Sequence, residues 1–530
     1  MILVASAAII LPLILLGGLN LSATRGMSLS ALVVIVTGYF FWHLSPMVIT
    51  ASILQAIHKA LPILWILFGA LLMLNCLRAT GAIDRINQGF QALSADMRLQ
   101  TVLVAFLFGG LIEGVSGFGT PAMVTAPLLI ALGFSPMAAV ILALVADSTP
   151  AAFGAVGTPL TVGLSNVTEK TSLLNAIGLR ITQLDLFVGA LMPAVLILIL
   201  ILWFGPKEHR FKQWLTTLPW ALVIGFVYSC LALLTVWLIG YEFVSIIAPL
   251  GTLVVAIVTI RFRWLLPKTV QTAPWRTDGN APQPAAKHQM SLVTAWFPYL
   301  LVVLLLLASR VLTPLKTAMT HYLNLSWTNI LGYSQINSDW ELLYSPGTIL
   351  AIAAIIGLLV QARSLKPLLP TASTVVRSMG NTAIALGVTL IMVQVFTNSG
   401  LNQAALPSMP MYIAKFVAKY LAGVWIIMAP FLGQLGAFVT GSTTVSTLTF
   451  AQIQADIAAN ANLSTTVILA AQLVGAAAGN MICVHNIVAV SSVVGLSGQE
   501  GAILRKTLLP GLGYALLIGM AGLVLINLLV

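Results

Sequence analysis

The sequence predicts an all-α polytopic membrane protein with about twelve transmembrane helices and two opposed re-entrant hairpins arranged as inverted repeats. Three observations predict it. Hydrophobic residues make up 59% of the 530 residues and charged residues only 7%, against roughly 25% charged in an ordinary soluble domain. Apolar runs of about 20 residues, long enough to cross roughly 30 Å of hydrocarbon, recur along the chain. Two further apolar regions, 99–165 and 420–495, are too long for one helix and are interrupted by Gly, Ser, Thr and Pro.

The simple runs lie near 2–19, 29–49, 60–77, 177–203, 216–239, 241–262, 293–312, 346–361, 377–398 and 508–530. The first lacks the basic flank of a signal peptide and reads as a retained helix. The net charge of +11 has a topological explanation, because Lys and Arg concentrate in cytoplasmic loops. Basic residues cluster at 78–98, 204–215, 261–290, 362–377 and 498–507, which places those loops inside. The loop 313–345 has a single basic residue, Lys316, and is placed outside. No basic run with interleaved aromatics suggests nucleic acid. Cys76, Cys230 and Cys483 lack metal-ligand or disulfide spacing, so neither a metal nor a cofactor is expected.

Those sides fix the parity of the interrupted regions. Region 99–165 must begin inside and end outside, which a hairpin at 99–134 and one broken crossing helix at 135–165 satisfy. Region 420–495 must do the reverse, giving a hairpin at 424–458 and a broken helix at 464–495. The chain then divides into a first membrane repeat (1–203), connecting helices with a Pro-rich cytoplasmic linker (204–292), and a second, inverted repeat (293–530). Both termini fall outside.

The interruptions are the candidate site. Glu113-Gly-Val-Ser-Gly-Phe-Gly-Thr-Pro121 breaks the first region and Gly436-Ala-Phe-Val-Thr-Gly-Ser-Thr-Thr444 the second. Non-helical backbone at membrane depth must be buried in protein or line a cavity. Half-helix N-termini there present N–H donors and partial positive charge to an anion. Scattered glycines elsewhere are read as close helix packing. The expected substrate-binding residues are Ser116, Gly117, Phe118, Gly119, Thr120, Ser148, Thr149, Thr440, Gly441, Ser442, Thr443, Asn480 and Asn486. An ionised carboxylate at the bilayer centre costs about 2.5–3.5 kcal/mol and tends to be functional, paired or protonated. Asp147 at the first helix break is the leading proton-coupling candidate, with Glu113 and His485 behind it. Asp185 and Arg180 read as an interfacial pair at a helix end. There is no Walker A, HExxH or nucleophile-elbow motif, so ion gradients rather than ATP would drive transport and the chain is not expected to be an enzyme.

Glu113–Pro121, Pro150-Ala-Ala-Phe-Gly-Ala155, Thr440-Gly-Ser442, Gly479-Asn-Met-Ile482 and His485-Asn486 together resemble the bacterial lactate permease family. The resemblance spans nearly the whole chain. It implies uptake of L-lactate, D-lactate and often glycolate with protons across the bacterial inner membrane, on a fold of inverted repeats with opposed hairpins. Two departures stand out. The family usually has Asn-Thr where this chain has Asp147-Ser148, and Asp where it has Thr443. If these positions converge, the exchange keeps one acid in the site.

The expected function is therefore proton-coupled symport of lactate and related 2-hydroxy monocarboxylates by alternating access. A sodium-coupled carboxylate carrier is the nearest alternative, an anion channel a more distant one, and a membrane enzyme more distant still. The expected partners are a small carboxylate, protons or sodium, and the lipid bilayer.

Overall fold

The computed structural model describes residues 1–529 except 20, 116, 118, 166, 169, 207–208, 268–269, 271–289 and 422–423. Most of the Pro-rich linker, and the sequence candidates Ser116 and Phe118, therefore lie outside the described residues. The chain is a helical, multi-pass membrane protein, and among the described residues its only extended pairing is three isolated bridges. Among the described residues, nine helices are long and apolar enough to cross a membrane, or eleven if each sharply bent pair counts as one span. The twelve crossings expected from sequence are not reached by that measure. The N-terminal run is divided among Ile2–Ala5, Ala7–Pro12 and a π-helical Leu13–Gly18, with Pro12 unable to donate a backbone hydrogen bond.

Helix α1 (Ala23–Phe41) ends before Ser45, whose hydroxyl accepts from Val48 N and, with Pro46 in the first turn, starts α2 (Pro46–Ala79). That N-cap moves the boundary 14 residues ahead of the expected run at 60–77. Strongly amphipathic α3 (Ala82–Leu93) leads into the first hairpin, α4 (Met97–Gly114) and α5 (Thr120–Ala131). The broken helix follows as α6 (Pro136–Ala146) and α7 (Pro150–Thr161), bent by 51°. Helices α8 (Thr171–Phe187) and α9 (Gly189–Phe204) form a second pair bent by 41°. Helices α10 (Arg210–Leu238), α11 (Tyr241–Arg261) and α12 (Leu292–Val311) lie on either side of the linker in sequence.

In the second half, α13 (Pro346–Ala362), interfacial α14 (Leu368–Ser378) and α15 (Gly380–Thr397) precede amphipathic α16 (Met409–Leu421). The second hairpin is α17 (Trp425–Thr440) and α18 (Thr443–Asn460). Its broken helix is α19 (Thr465–Gly479) and α20 (Val484–Val493), followed by α21 (Glu500–Leu529). The loop between α12 and α13 folds back on α2. Gln55 donates to Asn337 O at 2.7 Å, and the His58 ring meets Ser338 Oγ at 2.8 Å and Leu325 O at 3.0 Å.

Packing is reciprocal between the halves. α1 packs on α15 while α2 packs on α13; α5 packs on α20 while α7 packs on α18; α6 packs on α21 while α8 packs on α19. The α2–α13 crossing is backbone-close, since a Cβ on Gly347 would meet Trp65 O at 2.5 Å and Ile66 N at 2.8 Å. This is small-residue packing, worth close van der Waals contact and nothing chemical.

Candidate functional site

The first hairpin turns where Gly117 and Gly119 adopt left-handed φ of +66° and +74°. Thr120 N donates to Gly117 O at 3.2 Å as α5 begins. The second hairpin turns over Gly441, at φ +69°, and Ser442, whose Oγ accepts from Val445 N at 3.3 Å. Side chains other than glycine seldom tolerate that backbone. The approach of neighbours excludes one as well. A Cβ on Gly441 would overlap the His485 ring, and one on Gly119 would fall 2.9 Å from Asn486 Cγ. Both hairpin tips thus sit against the start of α20, the first tip at Asn486 and the second at His485.

Both helix breaks are resolved locally. α6 ends at Ala146, and the exposed carbonyl of Pro150 accepts from Ser245 Oγ of α11 at 2.7 Å. Ala155, Val156 and Gly157 then take three consecutive positive φ values, 45°, 56° and 73°. A β-branched residue there is rare, and strain of this kind persists where surrounding structure imposes it. In the second half α19 tightens into i→i+3 turns, with Asn480 N to Ala477 O at 3.1 Å and Ile482 N to Gly479 O at 3.1 Å, before α20 restarts after Cys483.

Between these features lies a small cavity, of about 20 Å³, lined by residues of all four broken segments: Glu113 and Gly117; Ala151, Gly154, Ala155 and Pro159; Gly441, Ser442, Thr443 and Thr444; and Asn480. A single buried water needs about 10–15 Å³ by that measure, against about 300–1,000 Å³ for a drug-sized pocket, so in this conformation the space is closed down to water scale. The Glu113 carboxyl packs onto Gly154, where a Cβ would lie 3.0 Å from Glu113 Cδ. Glu113 and Asp147 are both buried and lie within hydrogen-bonding reach of each other. Asn480 Nδ2 approaches Asp147 Oδ2 at 3.5 Å. Thr443 Oγ1, Asn480 Oδ1 and Asn486 Nδ2 are buried polar atoms without a hydrogen-bond partner. Orphans of this type are unusual in a packed interior; Thr443 and Asn480 line the cavity and Asn486 flanks it. Among the described residues no group of three or more His, Cys, Asp or Glu could hold a metal ion.

Of the sequence candidates, Gly117, Gly441, Ser442, Thr443, Asn480 and Glu113 line the cavity, and Asp147 lies one contact behind it. Gly119, Asn486 and His485 flank it through the tip contacts. Thr120 is buried at the start of α5. Three hydroxyls turn elsewhere. Ser148 Oγ donates to Val145 O at 2.8 Å, Thr149 Oγ1 meets Tyr514 Oη at 3.2 Å, and Thr440 Oγ1 donates to Gly436 O at 2.8 Å. Ala151, Gly154, Ala155, Pro159 and Thr444 also line the cavity without being among the expected substrate-binding residues. Glycine and alanine after the first break were the available signal.

Asp185 and Arg180 do not form an interfacial pair. Arg180 Nη1 donates to Gln183 Oε1 at 2.7 Å. Asp185 is 2% exposed, with Oδ1 accepting from Tyr514 Oη at 3.3 Å. The bend after Phe187 is the reason: it turns what reads as a helix end into the protein interior.

A family model described as L-lactate permease matches residues 1–529. A putative L-lactate permease of Haemophilus influenzae is 29% identical over 520 residues, covering 93% of this chain and 93% of that protein. The glycolate permease GlcA of Escherichia coli is 28% identical over 492 residues, 86% of this chain and 83% of its own. An L-lactate permease of Bacillus subtilis is 27% identical over 500 residues, 87% and 84% of the two chains. With a match this complete, joined to broken helices that enclose a small polar cavity, the chain belongs to the L-lactate permease family of membrane transporters.

Proposed function

We propose that the chain carries lactate and related small 2-hydroxy monocarboxylates such as glycolate together with protons, by alternating access, across the bacterial inner membrane. Similarity to permeases named for L-lactate and for glycolate supports the substrate class. The reciprocal packing of the two halves supports an inverted repeat; in this reading the loop charges put the hairpins on opposite faces and both termini outside. In this reading the N-termini of α5 and α18 receive the carboxylate through backbone N–H groups and local dipoles. Thr443 and Asn480 meet its remaining oxygens.

The observation that carries the proton is electrostatic. The described lining residues include no Lys or Arg, yet they include Glu113, with Asp147 in reach of it. A substrate anion added to two ionised carboxylates would place three negative charges in one site. Each like-charge pair at 4 Å costs about 4 kcal/mol even at an effective dielectric of 20. Glu113 and Asp147 each keep a buried oxygen without a partner, and two such neighbours are least costly with a proton on at least one of them, so in this reading the pair holds protons when substrate loads.

The test is labelled L-lactate uptake into sodium-free proteoliposomes under a pH gradient, acidic on the uptake side. Wild-type protein should accumulate lactate. Asp147→Asn, which fixes the neutral form, should keep counterflow between the two faces and lose accumulation. Accumulation that requires a sodium gradient would make the protein a sodium-coupled carrier, and entry without counterflow would make it a channel. Sidedness has its own check: cysteines at Ala92 and Asn462, in a background lacking reactive native thiols, should react only from the cytoplasm and only from outside respectively.

A further inference from the structure

Asp185 is a buried carboxyl that the cavity does not use. It sits in the last turn of α8, where the bend into α9 frees its backbone carbonyl to accept from Ser229 Oγ at 3.1 Å. Its carboxyl is held by Tyr514 of α21, and the same phenol meets Thr149 Oγ1 at 3.2 Å. Thr149 lies within the α6–α7 break, two residues after Asp147. Gly189 completes the enclosure: a Cβ there would lie 3.0 Å from both Asp185 Oδ1 and Thr149 Cγ2. The other titratable group bearing on Asp185 is the buried Tyr228 of α10. No cation is paired with Asp185 among the described residues.

An unpaired ionised carboxylate in such a place is costly, whereas a carboxyl that takes a proton is not. The hydroxyl chain reports which form is present. With Asp185 ionised, Tyr514 must donate to it and can only accept from Thr149. With Asp185 protonated, the carboxyl O–H can donate to Tyr514 Oη, and the Tyr514 hydrogen can turn to Thr149 Oγ1. The donor direction of the whole chain reverses at the backbone break beside Asp147.

We propose that Asp185, held by Tyr514 and joined through it to Thr149, is a second proton-binding site of the transporter, outside the substrate cavity and linked to it through the α6–α7 break. The inference rests on the proton-coupled reading above. Tyr514 is a positioning residue in this arrangement, since it touches Asp185 and Thr149 and is not itself a lining residue of the cavity.

The experiment compares wild type, Asp185→Asn, Asp185→Glu and Tyr514→Phe in sodium-free proteoliposomes, with labelled L-lactate as the probe. Counterflow and pH-gradient-driven accumulation are measured across a pH series. Infrared difference spectra on a pH jump are recorded for each protein. Asp185→Asn should retain counterflow, lose at least tenfold in accumulation, and lack one carboxyl C=O band present in wild type. Tyr514→Phe should shift that band and move the pH midpoint of accumulation. Asp185→Glu should restore accumulation at least in part. A purely structural Asp185 would lower counterflow and accumulation together, leave the pH midpoint in place, and remove no titrating band; that result overturns the proposal. So does full accumulation by Asp185→Asn with all carboxyl bands intact. Wild-type accumulation indifferent to the pH gradient would sink the proton reading and this site with it, which separates the two failures.

Discussion

At the first hairpin tip the chain turns through two left-handed glycines, Gly117 and Gly119, and the carboxyl groups of Glu113 and Asp147 stand beside it. At the second tip one left-handed glycine, Gly441, and a capping Ser442 suffice, and the neighbouring side chains are Thr443, Thr444 and Asn480. The two tips face one cavity from opposite halves but bring different chemistry. Acids come from the first half; neutral hydroxyl and amide groups come from the second. Under the proposed proton coupling, that asymmetry would give the proton to one side of the site and the anion's hydrogen bonds to the other.

The largest effects should come from the tips' shared requirement. Gly441→Val places a Cβ into the His485 ring, in a left-handed conformation costing roughly 1–2 kcal/mol by itself. Uptake should fall to background while the protein still inserts and purifies. Gly119→Val should do the same through Asn486. Normal kinetics in either variant would return that glycine to a packing role.

The next test exchanges the acids. Thr443 lines the cavity with Asn480, and Asn480 reaches Asp147, so the first-half acid and the second-half hydroxyl belong to one site. Thr443→Asp in the Asp147→Asn background should recover part of the pH-driven accumulation. No recovery, with counterflow intact, would mean that the acid must stand in the first half.

Smaller losses should follow from single donors. Thr443→Ala and Asn480→Ala each remove one hydrogen bond to a charged group, worth about 1.5–3 kcal/mol. The Michaelis constant for lactate should rise about tenfold or more, with little change in turnover. Ser442→Ala should add a stability loss of about 0.5–2 kcal/mol for the missing cap, read as a lower thermal midpoint. Smallest of all is Ser148→Ala. That hydroxyl is committed to Val145 O, so affinity should stay within a factor of two. A tenfold change would show that Ser148 turns into the cavity during the cycle.

Much of this arrangement was legible from residue types alone. The interruptions expected inside 99–134 and 424–458 fall where α4 gives way to α5 and α17 to α18, because glycine, hydroxyl residues and proline in apolar sequence have few physical uses besides a break. Which way each side chain turns was not legible. Asp147, Ser148 and Thr149 are consecutive, yet the first approaches Asn480, the second caps its own helix and the third meets Tyr514. Outside a regular helix no periodicity predicts facing. Asp185 was misread for a related reason: hydropathy locates helix ends, but a bend of 41° hides a terminus inside the protein. Gly436 shows the converse. It sits in a glycine-rich break motif, yet it packs against Phe450, 2.7 Å from where its Cβ would be.

Helix α2 has a consequence for how the molecule sits in lipid. Its 34 residues span about 51 Å at 1.5 Å per residue, roughly 20 Å more than the hydrocarbon core. Such a mismatch is ordinarily absorbed by inclination or by thickening of the membrane. Here the surplus turns carry Gln55 and His58, and the segment around Leu325–Ser338 wraps them with its own carbonyls and hydroxyls. The polypeptide thereby provides a private headgroup layer for a strut too long for its membrane.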